Sequence, residues 1–331
     1  MKYKIIKLHF NSPLHLHRGK GDYDITESIL HSDTLSSAIC TAGHKIYSEF
    51  DSQEMLENIT LSSAFPFVGD IMFFPKPMIK LPLKIYGFDE NSSSKEAKIL
   101  KKLQYIDTSY FNKIINSDTI FEIPDTHLRV GGAFLSGIDI KAPFVVETQQ
   151  RVTVARDNSE SKPYYIERIH FAENSGLFFI IEYKDENLFE KILASLCFLG
   201  DEGIGTDRNA GNGHFTVKTT YIDIDISESD YRMSLSLYCP TKDEIKNKIL
   251  DDSAYQLMKR GGYIAGAPLV KHRHLKKNTI YMFTEASVFK SRSPLIGKVI
   301  NLRPDWQDDK LPNIWRSGKP FSIPIKTMKN E

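Results

Sequence analysis

A two-domain α+β fold is what this sequence predicts, and three observations predict it. With an insertion and a hairpin set aside, the periodic segments of the first 228 residues run β-α-β-β-α-β, the ferredoxin-like plan. A second set of strands with one helix begins near Arg232 and reads as a degenerate copy of that plan. The chain, at 331 residues, is also long for a single core. The expected domains are 1–228 and 229–331. The first should carry a helical insertion at about 85–125 and a long thumb-like β-hairpin at about 145–170.

Tyr3 to Phe10 alternates as a strand, with Ile5, Lys7 and His9 against Ile6, Leu8 and Phe10. Asn11-Ser12-Pro13 interrupts it, and the polar segment LHLHRGKGDYD follows. Leu35, Ile39, Ala42, Ile46 and Phe50 then recur at helical spacing, with Ser32 or Asp33 as the N-cap. Residues 65–84 are apolar but broken by Pro66, Pro75, Pro77 and Pro82, which predicts short or edge strands. Residues 93–116 read as one helix bearing Ile99, Leu103, Ile106 and Tyr110 on one side. VVETQQRVTVAR and YYIERIHF alternate on either side of the turn DNSESKP. GLFFIIEY is a buried strand, and Leu188, Ile192, Leu196 and Leu199 mark the next helix. Beyond Arg232, strands are expected at 233–238, 280–288 and 296–302, with a helix from Asp243 to about Asp251.

Residues 200–213, GDEGIGTDRNAGNG, are the most distinctive stretch: five of fourteen positions are glycine. Such a loop turns through positive φ and admits close backbone approach. Its amides, with Arg208 beside them, suit an anion. The loop lies between a helix and a strand, whereas a dinucleotide fingerprint needs strand, loop, then helix. No G-x-x-x-x-G-K-[ST] occurs either, so a nucleotide cofactor is excluded and no cofactor is expected. Asp201 and Glu202 are adjacent and diverge, which argues against two-metal chemistry.

Lys plus Arg number 43 against 42 Asp plus Glu, so any basic surface must be local. The densest basic stretch is 259–277, with six Lys and Arg, two His and no carboxylate. Lys271 and Arg273 lie in it. The opening MKYKIIKLHF lacks a signal peptide's apolar block, and no apolar run approaches the roughly eighteen residues of a membrane span. Cys40, Cys197 and Cys239 are isolated, as reduced thiols would be. A cytoplasmic protein without membrane contact is expected.

The segments FNSPLHLHRGKG, ILHSDTLSSAI, QRVTVARDNSESKPYY and above all GDEGIGTDRNAGNGHF together resemble a RAMP protein of the CRISPR systems. The pairing of I-x-H-S-D-T-L with G-x-G-T-D-R-N-x-G-x-G is most similar to the subunits that cap the crRNA 5′ end in type III-A (Csm) effector complexes. The likeness runs along most of residues 1–225. It implies a non-catalytic crRNA-binding subunit of an antiviral ribonucleoprotein. Such a subunit holds the 5′ repeat-derived tag and joins the large palm-domain subunit to the backbone RAMP subunits. It also implies RNA-facing roles for His15, His17, Arg18 and Ser32, and for the hairpin's Arg151, Arg156 and Arg168. Thr206, Arg208, Asn209 and His214 follow from the glycine loop, with Lys271 and Arg273 added from the basic stretch. The loop and the hairpin are therefore expected to converge on one groove.

Three alternatives are weighed against this. His15-x-His17 has no Cys, Asp or Glu at ligand spacing, so no metal is expected. His15, His31 or His44 is placed to serve as the base of a metal-independent crRNA endoribonuclease, the competing enzymatic reading. A subunit that touches only proteins is the third.

Overall fold

The computed structural model describes residues 1–17, 24–88, 93–154, 161–264, 269–272, 274–305 and 310–328. Arg18, Arg156 and Arg273 lie outside the described residues, as does most of the hairpin turn.

The chain opens with β1 (Lys2–Phe10), α1 (Ser32–Ile46) and a short α2 (Ser52–Glu57), then β2 (Ile59–Leu61), β3 (Phe65–Val68) and β4 (Ile71–Pro75). β5 (Leu83–Ile85), α3 (Ser93–Lys102), β6 (Tyr105–Asp107), α4 (Thr108–Ile115), β7 (Phe121–Ile123), β8 (Leu128–Arg129) and β9 (Phe134–Leu135) follow. The hairpin is β10 (Phe144–Val154) with β11 (Ser161–Phe171). β12 (Ser175–Tyr183), α5 (Glu186–Glu202), the glycine loop and β13 (Phe215–Asp223) close this half.

A nine-stranded sheet runs β13-β1-β12-β3-β4-β6-β9-β8, with β2 also paired to β12. Its first four strands are the fourth, first, third and second of a split β-α-β unit, each antiparallel to its neighbour. Strand alternation gives this sheet two apolar faces. On one, Ile6, Leu8, Phe179 and Ile181 pack against Leu35 and Ile39 of α1 and Ile192 and Leu196 of α5. On the other, Ile5, Phe65, Phe178 and Ile180 pack against Phe111 and Ile114 of α4 and against the C-terminal residues Met233, Leu235, Phe321 and Ile323.

One expectation is corrected in this half. Residues 93–116 are not one helix, because Tyr105 to Asp107 pair with β4 and extend the sheet. The Asp107 carboxylate then caps α4 by accepting from the Tyr110 amide at 2.8 Å. The region from 85 to 125 is thus partly sheet, and α4 covers its face with Phe111 stacked on Phe74 at 4.2 Å between centroids. The proline-bearing strands β3 and β4 are short, one of the two outcomes expected of them, and lie inside the sheet. Within β3 only Phe67 and Val68 pair with β4, so Pro66 lies outside that ladder.

The C-terminal half contains β14 (Tyr231–Ser234), α6 (Lys242–Lys246), β15 (Leu257–Arg260), β16 (Ile280–Phe283), β17 (Val288–Lys290), β18 (Val299–Asn301), β19 (Trp315–Ser317) and β20 (Ser322–Pro324). β17-β14-β20 form a three-stranded sheet, and β15-β16 and β18-β19 are two-stranded ribbons. The helix expected over 243–251 stops at Lys246, and Lys248 follows at φ 59°, outside the helical region. The strand expected over 280–288 breaks at Ala286, φ 67°. The described residues of this half therefore carry a single α-helix, of five residues, less than a complete second copy of the first unit.

Candidate RNA-binding face

Three segments that the sequence keeps far apart meet at the C-terminal end of β1. Leu14 and Ile169 exchange backbone hydrogen bonds of 2.9 and 2.8 Å, which ties the loop after β1 to the base of the hairpin. The His15 Nδ1 lies 2.7 Å from the Glu167 carbonyl, and the His15 carbonyl accepts from the Thr206 amide at 3.1 Å. The Arg168 guanidinium donates from Nη2 to the Asp207 carboxylate at 3.1 Å. The glycine loop and the arginine hairpin thus converge.

Within the glycine loop, the φ values of Gly205 (89°) and Gly213 (75°) are those that L side chains rarely adopt. A Cβ on Gly205 would sit 2.5 Å from the His15 carbonyl oxygen, so the glycine is what allows the two loops to touch. Most of the amides expected to face an anion are committed inside the protein. Those of Gly203, Ile204, Thr206, Ala210, Gly211 and Gly213 all donate to backbone carbonyls. What the loop presents outward is its tip, a 3-10 turn over Arg208–Ala210 between left-handed Asp207 and Gly211. Arg208 and Asn209 are exposed there. Thr206 and His214 are half-buried, and the His214 amide donates to the Ser12 hydroxyl at 2.8 Å.

The hairpin register sets which side chains share the loop's side. Glu147, Gln149, Arg151 and Thr153 stand opposite Arg168, Ile166, Tyr164 and Lys162, so all eight lie on one face. Arg168 at the base touches the loop, while Arg151 and Lys162 further out are exposed. A free two-stranded ribbon is barely stable in water. This one is held at its root by Leu14 and by Phe171 stacked on Phe10 at 4.7 Å.

Several of the expected contact residues lie in the interior. Arg168 is 4% exposed and forms a buried link between hairpin and loop. His15 is 1% exposed, while His17 is half-buried and bridges to Thr26. Ser32 is buried, its amide donating to Ser63 Oγ and its Oγ accepting from the Leu237 amide. It therefore faces the C-terminal half, and His31, not Ser32 or Asp33, takes the N-cap position without a side-chain cap bond. Lys271 is exposed in a 3-10 turn of the C-terminal half.

Sequence reasoning missed the ion cluster that Ser32 borders. Asp33, fully buried, receives Arg260 from Nε at 2.9 Å and Nη2 at 2.8 Å, and Arg316 as a second guanidinium. Burial alone would raise the Asp33 carboxyl, but Arg316 and Arg260 hold it well below the usual carboxylate range. His31 sits between Glu285, 2.8 Å from Nδ1, and Glu27, 2.9 Å from Nε2, and Ser63 also donates to Glu285. Burial would lower its pKa, yet the two carboxylates push it up to about 10. An imidazolium donating from both nitrogens has no lone pair with which to take a proton.

This cluster gives stability a pH dependence. The folded protein keeps a proton on His31 that the unfolded chain releases near pH 6.5, so the contribution is complete below 6.5 and is lost towards pH 10. Lys277, pushed down to about 8 first by burial and then by Arg316, works oppositely above pH 8, where the folded state sheds its proton first. Denaturant-derived stability should fall by about 2 kcal/mol between pH 6.5 and 8 and level off above that. His31→Gln should lack the fall.

Residues 227–325 match the family model described as the CRISPR Csm4 C-terminal domain. A "CRISPR system Cms protein Csm4" of Methanocaldococcus jannaschii is 25% identical, with 100% of this chain and 99% of that one covered. The protein of the same name from Thermococcus onnurineus is 29% identical over 71% of this chain and 75% of its own. The chain is thus similar to Csm4 proteins along its whole length, and its C-terminal third matches their C-terminal domain. Its fold is also that of a chain in the crystal structure of a Csm1-Csm4 cassette in complex with cA4, with TM-score 0.65, 22% identity and both chains covered in full. A chain of the Csm3-Csm4 subcomplex in the type III-A CRISPR-Cas interference complex gives TM-score 0.61 at 24% identity, with 98% of this chain and 100% of that one covered.

Proposed function

We propose that this Csm4-like chain is a non-catalytic crRNA-binding subunit of a type III-A interference complex, holding the 5′ repeat-derived tag. The observation that carries this reading is the junction of hairpin and glycine loop through Arg168 and Asp207. It sets Arg151, Lys162 and Tyr164 on the hairpin face that the Arg208–Asn209 tip adjoins. Exposed guanidinium and ammonium groups supply phosphate contacts, and an aromatic ring among them is a stacking surface for a splayed base. On this reading the C-terminal half is a degenerate second ferredoxin-like domain. The subunit bridges the large palm-domain subunit and the backbone RAMP subunits in the cytoplasm. Support comes from the similar chains that were solved with Csm1 in one case and with Csm3 in another.

The scaffold reading is preferred to an endoribonuclease because His31 is clamped between two carboxylates and His15 is buried against the Glu167 carbonyl. Arg208→Ala should weaken binding of a tag-bearing RNA about 3–10-fold and lower the slope of log K against log salt by about 0.7, with the fold intact. Fluorescence anisotropy across a salt series in EDTA measures both, and the RNA should be recovered uncut. Unchanged affinity would make the loop a mere connector, and cleavage at one position would reinstate the nuclease.

A further inference from the structure

Arg168 is hydrogen-bonded less completely than its depth demands. A guanidinium offers five N–H donors. Here Nη2 reaches Asp207 at 3.1 Å and Nη1 reaches Gln149 Oε1 at 3.3 Å, both at the long end for such bonds. Nε is buried and finds no acceptor among the described residues. A cation 4% exposed with an incomplete set of acceptors is costly unless something else completes it.

Asp207, by contrast, is loosely held. Its side chain is 28% exposed and stands at the start of the exposed tip. Its backbone is left-handed, φ 61° and ψ 25°, and is fixed independently of the carboxylate: its carbonyl accepts from the Ala210 amide at 2.9 Å and from Asn212 Nδ2 at 3.2 Å. The carboxylate can therefore swing to solvent by side-chain rotation alone, leaving the loop in place.

We propose that Arg168 is a seat for one RNA phosphodiester, and that Asp207 occupies it as an internal stand-in anion until RNA arrives. The exchange trades one negative charge for another at the guanidinium. A phosphodiester brings two anionic oxygens where the carboxylate now meets one nitrogen, which suits the fork of an arginine. Arg208 and Asn209, at the same tip, would flank the incoming backbone. This inference rests on the RNA-binding reading above and adds to it a defined subsite with a built-in competitor.

The sign of one substitution tests it. Asn tolerates the left-handed conformation as Asp does, so Asp207→Asn removes the competing charge while sparing the turn. If the pair were only structural, this change would leave RNA affinity unchanged or weaken it. If Asp207 is the competitor, affinity of the full chain for a labelled single-stranded RNA carrying the tag should rise about 3–10-fold. The gain should vanish in Arg168→Ala/Asp207→Asn. It should also vanish when a single methylphosphonate neutralises one particular phosphate of the probe, and a scan along the tag would locate that position. A gain that survives neutralisation of every position singly overturns the proposal. So does a loss or no change in Asp207→Asn when Arg208→Ala still weakens binding, a result that leaves the RNA reading standing. Absence of wild-type binding defeats both.

Discussion

Asp33→Ala is expected to destabilise the protein by about 3–5 kcal/mol, the typical cost of removing one partner from a buried ion network. The loss is large because Asp33 is 0% exposed and lies between two guanidinium groups that are themselves mostly buried. Without it, Arg260 and Arg316 face each other with no intervening anion. The consequence is also spatial: Arg260 and Arg316 belong to β15 and β19 of the C-terminal half, whereas Asp33 opens α1 of the first. Denaturant unfolding should therefore change from one transition towards two as the halves lose their charged link. Equilibrium melts with Asp33→Ala set beside a triple replacement of Asp33, Arg260 and Arg316 by apolar residues separate two causes. Recovery of stability in the triple variant shows that the unpaired cations were the cost, since well-packed apolar side chains often replace a buried ion set without loss. A single variant as stable as the wild type would mean that the cluster is solvated and irrelevant to docking.

That cluster also shows where sequence reading stops. Alternation along 145–170 exposed the hairpin, and helical spacing followed by a glycine run exposed α5 and its loop, because those patterns repeat within a few residues. Asp33 meets Arg260 across 227 positions and Arg316 across 283, a separation with no periodic signature. Ser-Asp-Thr before an apolar helix looks like an N-cap in any fold, and only the C-terminal half tells those side chains to turn elsewhere. The insertion misled for a related reason: Tyr105 and Ile106 suit a helix face or a strand equally, and the strand wins because β4 and β9 offer it partners on both sides. Of the candidate site, the convergence of loop and hairpin was legible. The burial of Arg168 was not, since a charged residue on a hairpin reads as solvated until its cross-strand face is known.

Gly213→Ala should cost roughly 3–4 kcal/mol, combining about 1–2 for a left-handed backbone with the clash of an added methyl group. The methyl has nowhere to go: its Cβ would fall on the Ile204 carbonyl oxygen and within 2.9 Å of the Ile204 amide nitrogen. These are backbone atoms, so no rotamer relieves the overlap. Relief requires parting the two ends of the loop, and that breaks the Ile204 amide's bond to the Gly213 carbonyl at 2.9 Å and the Gly213 amide's bond to Pro13 at 2.8 Å. Pro13 leads directly to Leu14 and His15, which anchor the hairpin, so the disturbance should reach the arginine face as well as the loop. Gly211 provides the control: it has the same sign of φ, 78°, but no atom of the described residues within 4 Å of its would-be Cβ. Gly211→Ala should therefore lose only the backbone component, about 1–2 kcal/mol. Thermal melts of the two variants, with RNA anisotropy on each, should show Gly213→Ala worse on both measures. Equal behaviour would mean that the loop ends do not press together as described, and the case for a pre-formed tip would fail with it.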